Sequence, residues 1–120
     1  MPLSNDPAAV VQRQLDAFNA RDLDVLLATY AEDAEMFEHP SKLLASGAAA
    51  FRERYTARFQ ESNLYATLLS RTVMGHIVVD HEEVSRTTSR RSQRLLAIAV
   101  PLSRSMSRIR RGLAFFVRHL

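Results

Sequence analysis

The chain has 120 residues, of which 47% are hydrophobic, so it has the size and apolar content of one domain that folds alone, and two independent domains are excluded. It contains no cysteine, which excludes disulfides, thiolate nucleophiles and cysteine-ligated metal sites. The formal net charge of +3 combines an acidic part, with 13 acids and seven bases up to Glu83, and an acid-free part from Val84 onward with nine arginines.

The first residues, Met1–Asp6, hold neither a basic region nor an apolar stretch, so we expect no secretion signal. The longest apolar run, Leu95–Leu102, has eight residues, whereas a membrane-spanning helix needs about 20. We therefore expect a cytoplasmic protein that does not cross a membrane.

The first predicted helix begins at Asp6-Pro7, a pair typical of a helix start, and extends to about Ala20. Its buried stripe includes Val10 and Phe18, four residues on either side of Gln14. Gln14 is the only polar residue on that stripe, which makes it a candidate for binding rather than packing.

Two further helices and a short strand are predicted before residue 60. Asp22 can cap a second helix whose apolar stripe ends at Tyr30, so that helix should end near Glu32-Asp33. A short strand at Met36–His39 is stopped by Pro40. Ser46-Gly47 then opens a third helix, in which aromatic residues four apart must face a core: Phe51, Tyr55 and Phe59.

From Asn63 onward the hydrophobic period changes from about 3.6 to 2, which predicts strands. Leu64–Met74 and Ile77–Thr87 form a hairpin around Gly75, Leu95–Val100 is suited to a central strand, and Leu113–Val117 is the last strand. Helices followed by four antiparallel strands predict an α+β fold with the helices on one face of a sheet.

The acid-free part admits three interpretations. Arginines interleaved with serines could attract phosphates, anionic lipid or RNA, or they could lie on the solvated faces of strands. Because no aromatic interleaving accompanies the arginines, we do not expect nucleic-acid binding. A shifted reading frame in GC-rich DNA would also produce such a composition.

Several segments resemble the SnoaL-like branch of the nuclear transport factor 2-like superfamily, which includes ketosteroid isomerase. The resemblance covers residues 6–87. It implies a cone, in which a curved mixed sheet wraps around three helices and encloses an apolar cavity, and a single domain over residues 1–120. The segments that match in order and spacing are Phe18–Asp24, Tyr30–Ala34, Glu38-His39-Pro40, Ser46-Gly47 and Phe51–Tyr55.

The C-terminal third resembles the family less well. Residues 88–107 lack the turn chemistry expected of the family's last hairpin, and Thr88–Ser92 replaces a Pro/Gly loop. We hypothesise that this stretch arose by local frame changes or drift and is poorly packed.

The resemblance also implies site residues. It places His39 at the position of the isomerase's basic aspartate, Gln14 at that of its tyrosine and Ala99 at that of its donor aspartate. Ala99 cannot donate a hydrogen bond, which argues against the steroid isomerase mechanism. His39 could still act as a base if its imidazole is neutral, and Gln14 could orient a carbonyl or hydroxyl. Alternatively, both side chains satisfy main-chain groups.

Other candidate ligand contacts are Phe18, Tyr30, Phe37 and Tyr55, with the two tyrosines also suited to the core. On the strand from Ile77, Asp80 and His81 point to opposite faces, and His81 could reach the cavity as a second acid or base. The four histidines lack metal-ligand spacing, so we expect neither a metal nor another cofactor.

The sequence thus leads to two main hypotheses. The first is a SnoaL-like protein that binds a small apolar ligand and acts as a cofactor-independent isomerase, cyclase or hydratase on a carbonyl compound, with His39 as base. The second is a non-catalytic cone that binds a ligand or another protein. The resemblance also implies a homodimer formed through the outer face of the sheet.

Overall fold

The computed structural model describes residues 6–38, 41–86, 89–99 and 109–118, and the side chains of residues 6–38, 41–85 and 109. Two helices come first, two strands and a third helix follow, and four successive long strands come last. The elements in chain order are α1 Pro7–Ala20, α2 Leu23–Ala28, β1 Tyr30–Glu38, β2 Lys42–Ser46, α3 Ala48–Arg58, β3 Tyr65–Met74, β4 Ile77–Arg86, β5 Ser89–Ala99 and β6 Ile109–Arg118.

The bounds predicted for α1 and for the start of α3 are confirmed. Asp22 caps α2 as predicted, because its Oδ1 atom accepts a hydrogen bond of 3.2 Å from the Val25 amide. The predicted end of α2 is wrong, since the helix stops at Ala28 and Tyr30 already belongs to β1. The Thr29 carbonyl accepts a 2.7 Å hydrogen bond from the Ile109 amide, so sheet pairing ends the helix.

Residues 36–38 of the strand predicted at Met36–His39 form the end of a longer strand, β1, and no sequence signal indicates its antiparallel partner β2. The register shifts between Met36 and Phe37, which leaves Leu44 as an extra residue, so that Leu44 and its neighbour Ala45 both pack against the core. His39 and Pro40 lie outside the described residues.

The six strands form one mixed sheet in the order β2-β1-β6-β5-β4-β3. The parallel pair is β1 with β6, and all other neighbours are antiparallel. The predicted hairpin of β3 and β4 is confirmed, with Gly75 at φ +60° in its turn. These elements confirm the α+β fold class with a mixed sheet against three helices.

The helices cover one face of this sheet, which we call the inner face. α1 packs against β3 and β4, α3 packs against β1 and β2, and α2 contacts both helices. Most side chains of β1, β3 and β4 are described, and each of these strands has buried residues on the inner face. Examples are Met36 of β1, Ala66 of β3 and Val78 of β4. The interior therefore lies between α1, α3 and the inner face.

Within the stretch expected to be poorly packed, Ser89–Ala99 forms β5, which pairs with β4 on one side and β6 on the other. Residues 87, 88 and 100–108 lie outside the described part of the chain. The expectation for residues 88–107 stays a prediction.

Candidate functional site

Gln14 lies on the buried stripe of α1 between Val10 and Phe18, and only 1% of its surface is exposed. Its Oε1 atom is buried and accepts no hydrogen bond from any residue that the structure describes. An unsatisfied buried acceptor costs about 1–3 kcal/mol, so it is an unusual feature in a helix that otherwise packs well.

Strand β4 brings two carboxylates to the inner face. Val78, Asp80, Glu82 and Val84 alternate along β4 and are all buried, with Asp80 and Glu82 completely inaccessible to solvent. The alternation predicted for β4 is therefore present. The row that faces the helices is the one containing Asp80 and Glu82, and His81 lies in the opposite row.

Asp80 forms a bidentate ion pair with Arg71, which lies directly across from it on β3. Arg71 donates from Nε to Oδ1 over 2.8 Å and from Nη2 to Oδ2 over 3.0 Å. The hydrogen bond with Asp80 is the main cause that raises the pKa of Arg71 above its ordinary value, so the guanidinium stays cationic.

The ion pair continues into α1 through Gln12. Arg71 donates from Nη1 to Oε1 of Gln12 over 2.9 Å, and Gln12 donates from Nε2 to Oδ1 of Asp16 over 2.9 Å. These contacts anchor the first half of α1 to β3, while Asn19 anchors its end by two 2.8 Å hydrogen bonds with the Ala66 backbone.

The two anchor points locate Gln14 relative to Glu82. On α1, Gln14 lies between Gln12 and Asn19, and on β3, Leu68 lies between Ala66 and Arg71. Leu68 pairs with Glu82 of β4, which in turn pairs with Arg94 of β5 in backbone register. Gln14 and Glu82 therefore lie at a similar level along α1 and β4, and both are buried. We call these two residues, together with Asp80 and Arg71, the interior polar cluster, a set defined by burial and level rather than by mutual contact.

Three of the predicted contact residues meet in an aromatic cluster between α1, α3 and the start of β1. Phe18 packs edge-on against Tyr55 with ring centroids 6.3 Å apart, and the Tyr30 and Tyr55 rings lie 6.2 Å apart. The hydroxyl oxygens of Tyr30 and Tyr55 share a 2.9 Å hydrogen bond, and Phe51 and Phe59 complete the cluster.

The structure does not bring Phe37 and His81 into these clusters. Phe37 is half-buried on the face of β1 opposite to Met36 and pairs with the exposed Leu43. His81 is half-buried on the face of β4 opposite to Asp80. His39, the proposed base, lies outside the described residues.

Taken strand by strand, the sequence pattern gives only a weak indication of a role for Asp80 and Glu82 and none for Arg71. A signal was available for the ion pair, because a hairpin closed at Gly75 with Met74 opposite Ile77 places Arg71 opposite Asp80. No comparable signal indicates which face of β4 meets the helices.

A separate depression of about 540 Å³ is lined by residues of α3, β2 and the turn that follows α3. It includes the pair of Arg58 and Glu61, whose charged atoms lie 3.6 Å apart, and it contains none of the residues predicted for the site. Its other lining residues are Leu44, Ala50, Glu53, Arg54 and Ala57.

Among the residues with described side chains, no three His, Asp or Glu side chains form a group that could hold a metal ion. None of the described helices is both long and apolar enough to span a bilayer.

A family model described as a SnoaL-like domain matches residues 11–116. No curated protein is similar enough to the chain to count as a relative. Among solved structures, a candidate ketosteroid isomerase from Kribbella flavida is 15% identical with a TM-score of 0.81, and the match covers 95% of this chain and 79% of that one.

Two other solved structures are similar. A candidate polyketide cyclase from Sinorhizobium meliloti is 22% identical with a TM-score of 0.74, and the match covers 88% of this chain and 92% of that one. A protein with a ketosteroid isomerase-like fold from Catenulispora acidiphila, in complex with trimethylamine, is 11% identical with a TM-score of 0.72. That match covers 88% of this chain and 82% of the other. These likenesses confirm the predicted cone fold.

Proposed function

We propose that this chain, which belongs to the SnoaL-like family, binds a small organic molecule between α1 and the inner face of the sheet. The observation that carries this proposal is the burial of the Gln14 amide on the helix that faces β3 and β4, with no described donor for its Oε1 atom. Burying polar groups costs free energy unless they are fully hydrogen-bonded, so a core that serves stability alone would hold apolar residues there.

The aromatic cluster supports the same location. Phe18 follows Gln14 by one helical turn, so apolar ring surface lies next to the interior polar cluster along α1. A few polar groups beside aromatic surface are typical of sites that bind small organic molecules. A protein of similar fold was solved in complex with trimethylamine, which is a small organic molecule.

Binding of the bicyclic ketone α-tetralone and the alcohol α-tetralol tests this proposal. We expect saturable binding of at least one probe by calorimetry, with slower hydrogen exchange in α1 and β4. A Leu43→Ser variant, which changes an exposed apolar residue of β2, should bind equally well. Loss of binding in that variant, or no binding of either probe, would contradict an interior site.

We further propose that the bound molecule is an apolar carbonyl compound on which the protein performs proton transfer as a cofactor-independent isomerase, cyclase or hydratase. Candidate enzymes of two such classes, an isomerase and a cyclase, share the fold. His39 is the proposed base and Gln14 the proposed orienting group. If no reaction occurs, the same interior serves a non-catalytic ligand-binding protein.

We also propose a homodimer formed through the face of the sheet opposite to the helices. Tyr65, Leu69 and Ile77 are exposed apolar residues of β3 and β4, and a second copy would cover them. Light scattering should give twice the mass of one chain, and Leu69→Glu should give the mass of one chain. A monomeric wild type would contradict this arrangement.

A further inference from the structure

We propose that the ligand of the interior site donates a hydrogen bond to the Gln14 side chain, and therefore carries a hydroxyl or enol group at that end. This inference rests on the proposed binding function and specifies the class of ligand. Its starting point is that the buried Oε1 atom of Gln14 has no donor within the described part of the chain.

The neighbouring polar groups do not supply that donor. Among the described side chains of β3 and β4, the cationic group on the inner face is the Arg71 guanidinium. Its Nε and Nη2 atoms donate to Asp80. Its Nη1 atom donates to Gln12. Asp80 accepts its hydrogen bonds from Arg71, and no hydrogen bond joins Glu82 to the Oε1 atom of Gln14. The Oε1 atom of Gln14 therefore still lacks a hydrogen-bond donor within the described part of the chain.

This requirement for a donor excludes a ketone oxygen as the group that satisfies Oε1, because a carbonyl oxygen only accepts hydrogen bonds. An alcohol or a phenol satisfies it directly. A carbonyl substrate satisfies it when it is in its enol form, since the enol oxygen carries a hydrogen. The site therefore favours ring compounds with a hydroxyl group over ketones and ethers of the same shape.

Three probes of one shape test this inference: α-tetralol, its methyl ether and α-tetralone. The hydroxyl makes a hydrogen bond with an acceptor that is otherwise unsatisfied, so wild type should bind the alcohol about tenfold more tightly than the ether or the ketone. In Gln14→Leu the three affinities should become equal. Gln60→Leu, which changes an exposed glutamine after α3, should keep the wild-type preference.

The stability of the Gln14 variants separates binding from folding. Because the substitution removes a buried unsatisfied acceptor, thermal unfolding of Gln14→Leu should occur at the wild-type temperature or above it. Gln14→Met, with an unbranched side chain, serves if the leucine variant does not fold. A wild-type preference for the ketone or the ether, or an alcohol preference that survives in a folded Gln14 variant, would overturn this inference while leaving the binding function intact. Failure of all three probes to bind wild type would contradict the binding function itself.

Discussion

Replacing Arg71 by methionine should lower the free energy of unfolding by about 3–5 kcal/mol, because it leaves the carboxylate of Asp80 in the interior without its cation. Asp80 is completely buried, and only 16% of the Arg71 side chain is exposed. Removing one partner of such a pair costs more than the pair itself contributes, since the remaining charge stays desolvated. Urea-induced unfolding followed by circular dichroism measures the loss.

Two comparisons make this expectation specific. The double variant Arg71→Met/Asp80→Leu should recover most of the lost stability, because both charges are then absent. Arg52→Met removes the exposed ion pair with Asp24, whose atoms lie 3.2 Å apart, and should cost less than about 1 kcal/mol. Equal losses in Arg71→Met and Arg52→Met would show that Asp80 does not depend on Arg71.

The contribution of Arg71 should not vary over the pH range in which the protein is handled. The pKa of Arg71 is raised in the folded chain, chiefly by its hydrogen bond with Asp80. A raised pKa gives stability that is fully present below the ordinary arginine pKa and is lost only as pH rises through the folded value. Both values lie far above neutrality, so the titration of Arg71 itself adds no pH dependence near pH 7.

The elements that the sequence predicts well are those whose signals are local. The start and stripe of α1, the cap of α2 and the turn at Gly75 each depend on residues within a few positions of one another. The end of α2 depends instead on Thr29 and Tyr30 meeting Ile109, about 80 positions away. The hydrophobic stripe of α2 continues past Ala28, so the local pattern contains no information about this distant strand pairing.

The residues of the candidate site also differ in whether local sequence patterns identify them. Gln14 could be identified as a polar residue on an apolar stripe, and its burial agrees with that pattern. For β4 the alternation separates Asp80 and Glu82 from His81 but is symmetric with respect to the two faces. Contacts of β3 and β4 with α1 decide which face is buried, and those contacts are tertiary. His81, which was a candidate for reaching the interior, lies on the face of β4 opposite to Asp80.

Replacing His39 by alanine should lower the rate of proton exchange next to the carbonyl of a bound ketone by about 10²- to 10⁴-fold, the usual contribution of a general base. The assay follows deuterium incorporation into α-tetralone by mass spectrometry. In wild type the rate should rise as pH increases, because only neutral imidazole accepts the proton.

The matched control for this prediction is His76→Ala, which removes a half-buried histidine in the turn between β3 and β4. That variant should exchange protons at the wild-type rate, and both variants should unfold at the wild-type temperature. If His39→Ala retains turnover, the base is another group, and the buried carboxyl groups Asp80 and Glu82 become the next to replace. If wild type binds α-tetralone without exchanging its protons, proton transfer is contradicted for this class of ketone, and ligand binding alone explains why the interior buries amide and carboxylate groups.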